Sequence, residues 1–159
     1  MDTPKCLVVF YSRTGTTRRL AEQIAGMLGC QAEEVADLQR RSGVLGFLKG
    51  GRHAFGKKLT RIGEVSTDPA AYGLVVIGTP VWAGTMTPAI RTYITQQKDR
   101  LPEVAFFLTT GGTGIERTFR HMQELCGKPP KATLGLRQKA ILGEDVGDAL
   151  RAFVEALRA

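Results

Sequence analysis

Apolar residues along the chain form two kinds of pattern, short unbroken runs and residues repeated at helical spacing. The unbroken runs extend from Lys5 to Tyr11, from Tyr72 to Gly78 and from Val104 to Leu108. Runs of this length without polar alternation are typical of strands that are covered on both faces, as in a parallel sheet. Two weaker segments, Gln31 to Val35 and Ala132 to Leu136, are predicted to add further strands.

Helices are predicted between these strands, because apolar residues recur there three or four positions apart. Gly29 ends the first, since glycine adopts the left-handed backbone of a helix end at little cost. Thr87 and Pro88 predict the start of the second, and Thr113 with Glu116 has the spacing of a capping box before the third. The apolar positions that define these helices are Leu20, Ile24, Met27, Leu28, Ile90, Tyr93, Ile94, Ile115, Phe119, Met122, Leu125, Val146, Leu150, Phe153, Val154 and Leu157.

The alternation of strand and helix predicts an α/β fold, an open parallel sheet with helices on both faces. A length of 159 residues suits one core, and we expect a single domain over 1–159. Ligands of such sheets bind beyond the carboxyl ends of the strands, where the chain order reverses. Binding chemistry is therefore expected in the loops that follow the three strongest strands.

The first of these loops, SRTGTT from Ser12 to Thr17, is rich in hydroxyl groups. The helix after it directs its unpaired N–H groups and positive dipole end into the loop, which favours an anion such as a phosphate monoester. A hydroxyl-rich helix cap without a ligand is the alternative. The loop lacks the Gly-Lys-Ser/Thr ending of a Walker loop and the three spaced glycines of a dinucleotide fingerprint. Cys6 lies at the wrong end of the strand for a cysteine phosphatase.

The second loop, Thr79 to Pro88, contains the only tryptophan of the chain, Trp82. An indole at this position is either a plug over the core or a wall for a flat ring. The third loop, TTGGTG from Thr109 to Gly114, has three glycines, which let a backbone approach a ligand closely and leave N–H groups free to donate. Together the three loops predict a phosphate pocket that is bordered on one side by an aromatic side chain and on another by backbone without large side chains.

The three loops, in this order, resemble those of flavodoxin-fold FMN-binding proteins of the short type. The resemblance extends from Lys5 to the end of the chain and implies a flavodoxin-like three-layer αβα sandwich, with a five-stranded parallel sheet of order 2-1-3-4-5 and FMN at its switch point. It implies that the FMN phosphate is held by Ser12, Thr14, Gly15, Thr16 and Thr17. Arg13 either adds charge to that site or points to solvent. The resemblance also implies that the flavin ring is lined by Pro80, Val81, Trp82, Ala83, Gly84 and Thr85, and that its polar edge meets Thr110, Gly111, Gly112, Thr113 and Gly114.

The function implied by the resemblance is that of an FMN-binding redox flavoprotein, transferring electrons from NAD(P)H to a quinone-like or other small acceptor. The third loop lacks the tyrosine that many flavodoxins stack on the flavin, which leaves one ring face open to a second aromatic molecule. Two alternatives stay open, a one-electron carrier that serves partner proteins and a non-redox module that binds another phosphorylated ligand. The sequence identifies no catalytic acid or base and no metal-ligand set.

One segment, Arg40 to Arg61, accounts for the net charge of +7, because it contains seven lysines and arginines and no acid. Its apolar and basic residues are spaced to fall on opposite sides of a helix. The segment is either a solvated helix face, or a docking surface for an acidic redox partner protein or the phosphates of NADPH, or a site for nucleic acid or an anionic membrane. Nucleic acid is the least expected partner, since interleaved aromatic residues for base stacking are lacking.

The three cysteines, Cys6, Cys30 and Cys126, form no CxxC pair and no zinc spacing, and we expect buried reduced thiols. No apolar run reaches the roughly 18 residues that a membrane span requires. The N-terminus lacks the pattern of a secretory signal. The sequence therefore predicts a soluble, cytoplasmic protein without a transmembrane segment.

Overall fold

The computed structural model describes residues 5–39, 59–143 and 146–159 of the chain. Most of the basic segment from Arg40 to Arg61 lies outside the described residues, and so does the amphipathic helix predicted for it. Within the described ranges, no helix is both long and apolar enough to cross a membrane.

In the described part of the chain, five parallel strands and one short antiparallel strand form the central sheet. The strands are β1 (Cys6–Phe10), β2 (Gln31–Glu34), β3 (Leu74–Trp82), β4 (Thr85–Met86), β5 (Glu103–Thr110) and β6 (Thr133–Arg137). Their order across the sheet is β2-β1-β3-β5-β6, and β4 pairs antiparallel with the end of β3. Counted without β4, the five parallel strands have the order 2-1-3-4-5, which confirms the predicted fold class.

Helices cover both faces of the sheet. They are α1 (Thr16–Leu28), α2 (Pro88–Gln97), α3 (Ile115–Cys126), α4 (Gln138–Leu142) and α5 (Gly147–Arg158), with short 3₁₀ turns at Pro69–Ala71 and Lys98–Arg100. Side chains from α1, α4 and α5 pack on one face, and side chains from α2 and α3 pack on the other. The three layers predicted from the alternation of strand and helix are therefore confirmed.

Strand β1 shows why unbroken apolar runs mark the centre of this sheet. Val8 and Phe10 belong to the core on one face, and Leu7 and Val9 belong to the core on the other. Successive side chains of a strand point to opposite faces, so a strand covered by helices on both sides must be apolar at every position. The burial of each additional methylene group on either face contributes about 0.8 kcal/mol to stability.

The second predicted loop, Thr79 to Pro88, is largely a β-hairpin instead. Strand β3 continues through Trp82, the chain turns at Ala83 and Gly84, and β4 returns so that Trp82 lies opposite Thr85. The two turn residues have φ angles of 50° and 75°, and positive φ at both central residues is typical of the tight turns that match the twist of a hairpin. The end of β3 depends on its pairing with β4, and a run of apolar residues alone does not indicate that pairing.

The predicted start of α2 is confirmed, whereas the capping box predicted at Thr113 is wrong. Thr87 Oγ1 accepts a hydrogen bond from the N–H of Ile90 at 3.4 Å, as expected of an N-cap residue. Helix α3 begins after Gly114, which has a φ of +100° and no side-chain cap. A Cβ atom at Gly114 would lie 3.1 Å from the Cα of Gly84. The close approach of the third loop to the hairpin turn therefore requires glycine at this helix start.

Candidate functional site

A cavity of about 420 Å³ opens at the carboxyl edge of the parallel strands. Its volume lies in the range of small-molecule binding sites. The loop after β1, the hairpin and the loop after β5 all contribute to its walls, so the structure brings the three predicted loops together. The lining residues are Arg13, Thr14, Thr16, Thr17, Pro80, Val81, Trp82, Thr109, Thr110, Gly111 and Gln138.

Helix α1 begins at this cavity. The first backbone N–H groups of any helix have no intrahelical acceptor. Gly15 precedes α1 with a φ of +100° and gives these groups no side-chain cap. Ser12 Oγ accepts a hydrogen bond from the N–H of Gly15 at 3.0 Å, which holds the loop in its turn. Thr16 and Thr17, the first two helical residues, line the cavity. An anion bound beside them lies at the positive end of the helix dipole.

Two hydrogen bonds orient the hydroxyl groups at this end of the cavity. Gln138 Nε2 donates to Thr16 Oγ1 at 3.2 Å. Because the oxygen of Thr16 accepts that bond, its own proton is available to a bound anion. Thr17 Oγ1 and Thr109 Oγ1 lie 2.7 Å apart, with one hydroxyl donating to the other across the interior. This second bond connects the start of α1 to the end of β5.

Sequence reasoning did not identify Gln138 or Thr109 as lining residues. Gln138 is the first residue of α4 and directly follows β6, so it lies at the same edge of the sheet as the three loops. Its position two residues after the last predicted strand was a signal that could have identified it. Thr109 was included in the third loop but not among the residues expected to contact a ligand.

Trp82 forms an aromatic wall of the cavity. Its side chain is partly exposed and lines the cavity together with Pro80 and Val81. The ring of Tyr11 packs edge-on against the indole, with ring centroids 5.5 Å apart and an angle of 87° between the planes. Tyr11 is buried, so this contact supports the indole from the core side. A flat ring bound in the cavity therefore meets an indole that is already held in place.

Thr85 connects the hairpin to the helices behind it. Arg91 Nη2 donates to Thr85 Oγ1 at 3.1 Å, and the same hydroxyl lies 2.7 Å from Nδ1 of His121. The side chain of Arg91 is only 7% exposed, and this burial lowers the pKa of its guanidinium group. Thr85, predicted to line the ligand, thus has its hydroxyl bonded to α2 and α3. These hydrogen bonds from α2 and α3 hold the hairpin that contains Trp82 in position.

The third loop presents peptide groups rather than large side chains. Thr110 Oγ1 accepts a hydrogen bond from the N–H of Gly112 at 3.1 Å and donates to the carbonyl of Thr113 at 3.3 Å, which closes the loop on itself. Thr110 and Gly111 line the cavity, whereas Gly112 and Thr113 do not. Gly114 packs on the hairpin turn. The loop therefore borders the cavity with backbone and small groups.

Arg13 lies between two hollows of the surface. It lines the main cavity and also a smaller hollow of about 310 Å³ on the other side of its loop, where Ser12 and Asp37 are neighbours. Arg13 therefore borders the main cavity, into which the start of α1 opens. The predicted site residues that do not line the main cavity are Ser12, Gly15, Ala83, Gly84, Thr85, Gly112, Thr113 and Gly114.

Comparison with known proteins gives matches in structure only. No family model matches the chain, and no curated protein matches its sequence. Among solved structures, the fold is similar to a flavoprotein from Lactobacillus acidophilus NCFM in complex with FMN, with a TM-score of 0.71 and 25% sequence identity. The similarity covers 89% of this chain and 97% of that protein.

Two further structures resemble the fold at lower sequence identity. The two-electron reduced flavodoxin of Megasphaera elsdenii has a TM-score of 0.61 and 16% identity, covering 97% of this chain and 99% of the flavodoxin. An NADH:FMN oxidoreductase in its apo form has a TM-score of 0.57 and 14% identity, and the similarity covers 97% of this chain and 88% of the oxidoreductase. At these identities the likeness concerns the fold alone. Together the three structures confirm the resemblance to flavodoxin-like flavoproteins.

Proposed function

We propose that this flavodoxin-like protein binds FMN in the cavity beside Trp82 and functions as a redox flavoprotein. One observation carries the proposal: an anion-binding helix start and an indole wall meet in a single cavity of about 420 Å³. FMN has a phosphate at one end and a planar ring at the other, so these two features match its two ends. The similarity to a flavoprotein solved with FMN supports the same cofactor.

The residues at the start of α1 fit the phosphate. Thr14, Thr16 and Thr17 contribute hydroxyl groups at the cavity wall, and the first N–H groups of the helix add further donors. Gly15 lets the loop turn into the helix. None of these groups has a full charge, so the helix dipole and Arg13 supply the positive potential for a phosphate dianion.

The hairpin and the third loop fit the ring. Trp82, with Pro80 and Val81, gives a flat apolar surface, and the backbone at Thr110 and Gly111 gives polar groups at its border. Neither Pro80 to Thr85 nor Thr110 to Gly114 contains an ionisable side chain. The contribution of these two loops is therefore position and hydrogen bonding, not proton transfer by a side chain.

Bound FMN supplies the electron-transfer chemistry, and the protein positions it. We propose NAD(P)H as the electron donor and a quinone-like or other small molecule as the acceptor. The residues that the third loop places at the cavity, Thr109, Thr110 and Gly111, are small. A second aromatic molecule can therefore approach the side of the ring that Trp82 does not cover.

The proposal is tested with purified protein loaded with FMN and freed of excess cofactor. We expect continuous oxidation of NADH or NADPH when a small quinone is added, well above the rate given by the same concentration of free FMN. FMN-loaded protein that accepts electrons from a chemical reductant but oxidises neither nicotinamide would instead indicate the one-electron carrier. Protein that does not bind added FMN would contradict the proposal and point to a module for another phosphorylated ligand.

A further inference from the structure

Two of the three cysteines lie next to each other at the end of the sheet opposite the cavity. Leu7 of β1 is paired in register with Gln31 of β2, and Cys6 and Cys30 directly precede these two residues. Neighbouring strands lie about 4.8 Å apart, within the Cα separation of about 4.4–6.8 Å that disulfides require. The turn at Gly29, with a φ of 68°, ends α1 and leads the chain directly to Cys30.

The two cysteines belong to the same part of the interior. Cys6 belongs to the core on one face of the sheet, and Cys30 packs against that same core. Burial, together with a hydrogen bond to the thiol of Cys6, raises the pKa of Cys30 to about 12. Cys6 is buried and Cys30 is partly exposed, so a reagent in solution reaches Cys30 first.

The pair borders an open hollow. A cavity of about 420 Å³ is lined by both cysteines, by Gln31 and by two titratable residues, Lys5 and Tyr72. The ammonium group of Lys5 lies 4.9 Å from the centre of the Tyr72 ring. A small molecule therefore has a path to the sulfur of Cys30, and no described acid lines that path.

We propose that Cys6 and Cys30 are a thiol pair that closes to an intramolecular disulfide by exchange with a low-molecular-weight disulfide. The thiolate of Cys30 attacks one sulfur of the small disulfide, and a first small thiol leaves. Cys6 then loses its proton and attacks the sulfur of Cys30, and a second small thiol leaves. The two cysteines lose two electrons in total, and the small disulfide gains them.

The reaction has a characteristic dependence on pH. The thiolate is the attacking form, and burial and the contact with Cys6 keep Cys30 protonated at neutral pH. Raising the pH increases the thiolate fraction about tenfold per unit below the pKa. An ordinary exposed thiol, with a pKa of about 8.5, is half ionised at that pH and close to its plateau about one unit higher. The reaction of Cys30 should instead continue to accelerate throughout the range from about pH 8 to pH 10.

The test counts free thiols and maps the product after incubation of the whole protein with oxidised glutathione. We expect one free thiol instead of three, no retained glutathione, and a tryptic peptide of residues 6–13 linked to the peptide of residues 20–40. The rate should rise at least tenfold between about pH 8 and pH 10. Cys30→Ser should keep both of its thiols. The matched variant Cys126→Ser should close the disulfide like wild type.

Three results would overturn the proposal. One is glutathione retained on Cys30 with Cys6 still reduced. A second is cross-linking between chains through Cys30. The third is three unreacted thiols at the higher pH. Mapping of the wild-type protein gives the answer even where a serine variant folds poorly, and none of the readouts depends on FMN.

Discussion

Replacing Gln138 by glutamate tests how the cavity recognises a phosphate. In the structure the amide of Gln138 donates to Thr16 Oγ1 at 3.2 Å and leaves the hydroxyl proton of Thr16 available to an anion. A glutamate has the same shape but accepts hydrogen bonds. It therefore draws the proton of Thr16 toward itself and places a negative charge beside the bound phosphate.

The expected loss is calculated from these two effects. A hydrogen bond to a charged group contributes about 1.5–3 kcal/mol. Gln138 is exposed, so the repulsion between carboxylate and phosphate is screened to about 1 kcal/mol. The affinity for FMN should therefore fall by roughly 2.5–4 kcal/mol, about 70- to 900-fold in Kd. Gln138→Leu removes only the orienting bond and should cost about 1 kcal/mol, roughly fivefold.

Titrations with FMN and with riboflavin, which lacks the phosphate, separate this effect from general damage. We expect Gln138→Glu to bind FMN much more weakly and to bind riboflavin within about twofold of wild type. Gln23→Glu, the same chemical change on the exposed face of α1, should leave both affinities unchanged. Equal losses for FMN and riboflavin, or no loss for FMN, would refute the role assigned to Gln138.

Four further substitutions test other parts of the structure. Trp82→Ala should weaken FMN and riboflavin alike by about 1–3 kcal/mol in a flavin fluorescence titration, because stacking is lost; unchanged affinity would show that the indole is not the wall. Gly78→Ala places a methyl group 1.9 Å from Phe107 Cζ and should destabilise the fold in urea by about 1–3 kcal/mol or more. Gly26→Ala, exposed in α1 with nothing within 4 Å of the new methyl, should stabilise the fold by up to about 1 kcal/mol. Free energies of unfolding that change in the same direction in the two glycine variants would contradict this reasoning. Tyr93 has a buried hydroxyl without a partner among the described residues, and burial raises its pKa. Above about pH 10 the folded protein therefore keeps this proton, whereas the unfolded chain releases it. The free energy of unfolding of the wild type should then decrease with rising pH by up to about 1.4 kcal/mol per pH unit more than that of Tyr93→Phe. Parallel plots of the free energy of unfolding against pH for the two proteins would rule this out.

The parallel sheet was predictable because its central strands are buried on both faces. In β1, Leu7, Val8, Val9 and Phe10 are all buried. A strand covered on both faces must be apolar at each position, so its sequence is an unbroken apolar run. The end of β3 was not predictable in the same way. Its extension to Trp82 depends on pairing with β4, and the two residues of β4 are too few to give a pattern of their own.

The site was predictable where a single loop determines it and not where distant segments meet. The glycine and hydroxyl groups between Ser12 and Thr17 indicate an anion site from local chemistry alone. The bond from Gln138 to Thr16 joins residues 122 positions apart, and α4 has only five residues, too short for helical periodicity to appear. Gly114, and not Thr113, is the N-cap of α3, because Gly114 contacts the hairpin turn. The residues next to Gly114 in the sequence give no sign of that contact.

The binding of FMN itself is the central claim, and its stoichiometry is the most direct test. Purified protein is incubated with an excess of FMN, passed through a desalting column and measured by visible absorption against protein concentration. We expect a yellow protein with one FMN per chain, and release of that FMN in competition with inorganic phosphate at high concentration. A colourless protein after the column, with its fold shown to be intact by circular dichroism, would contradict the account.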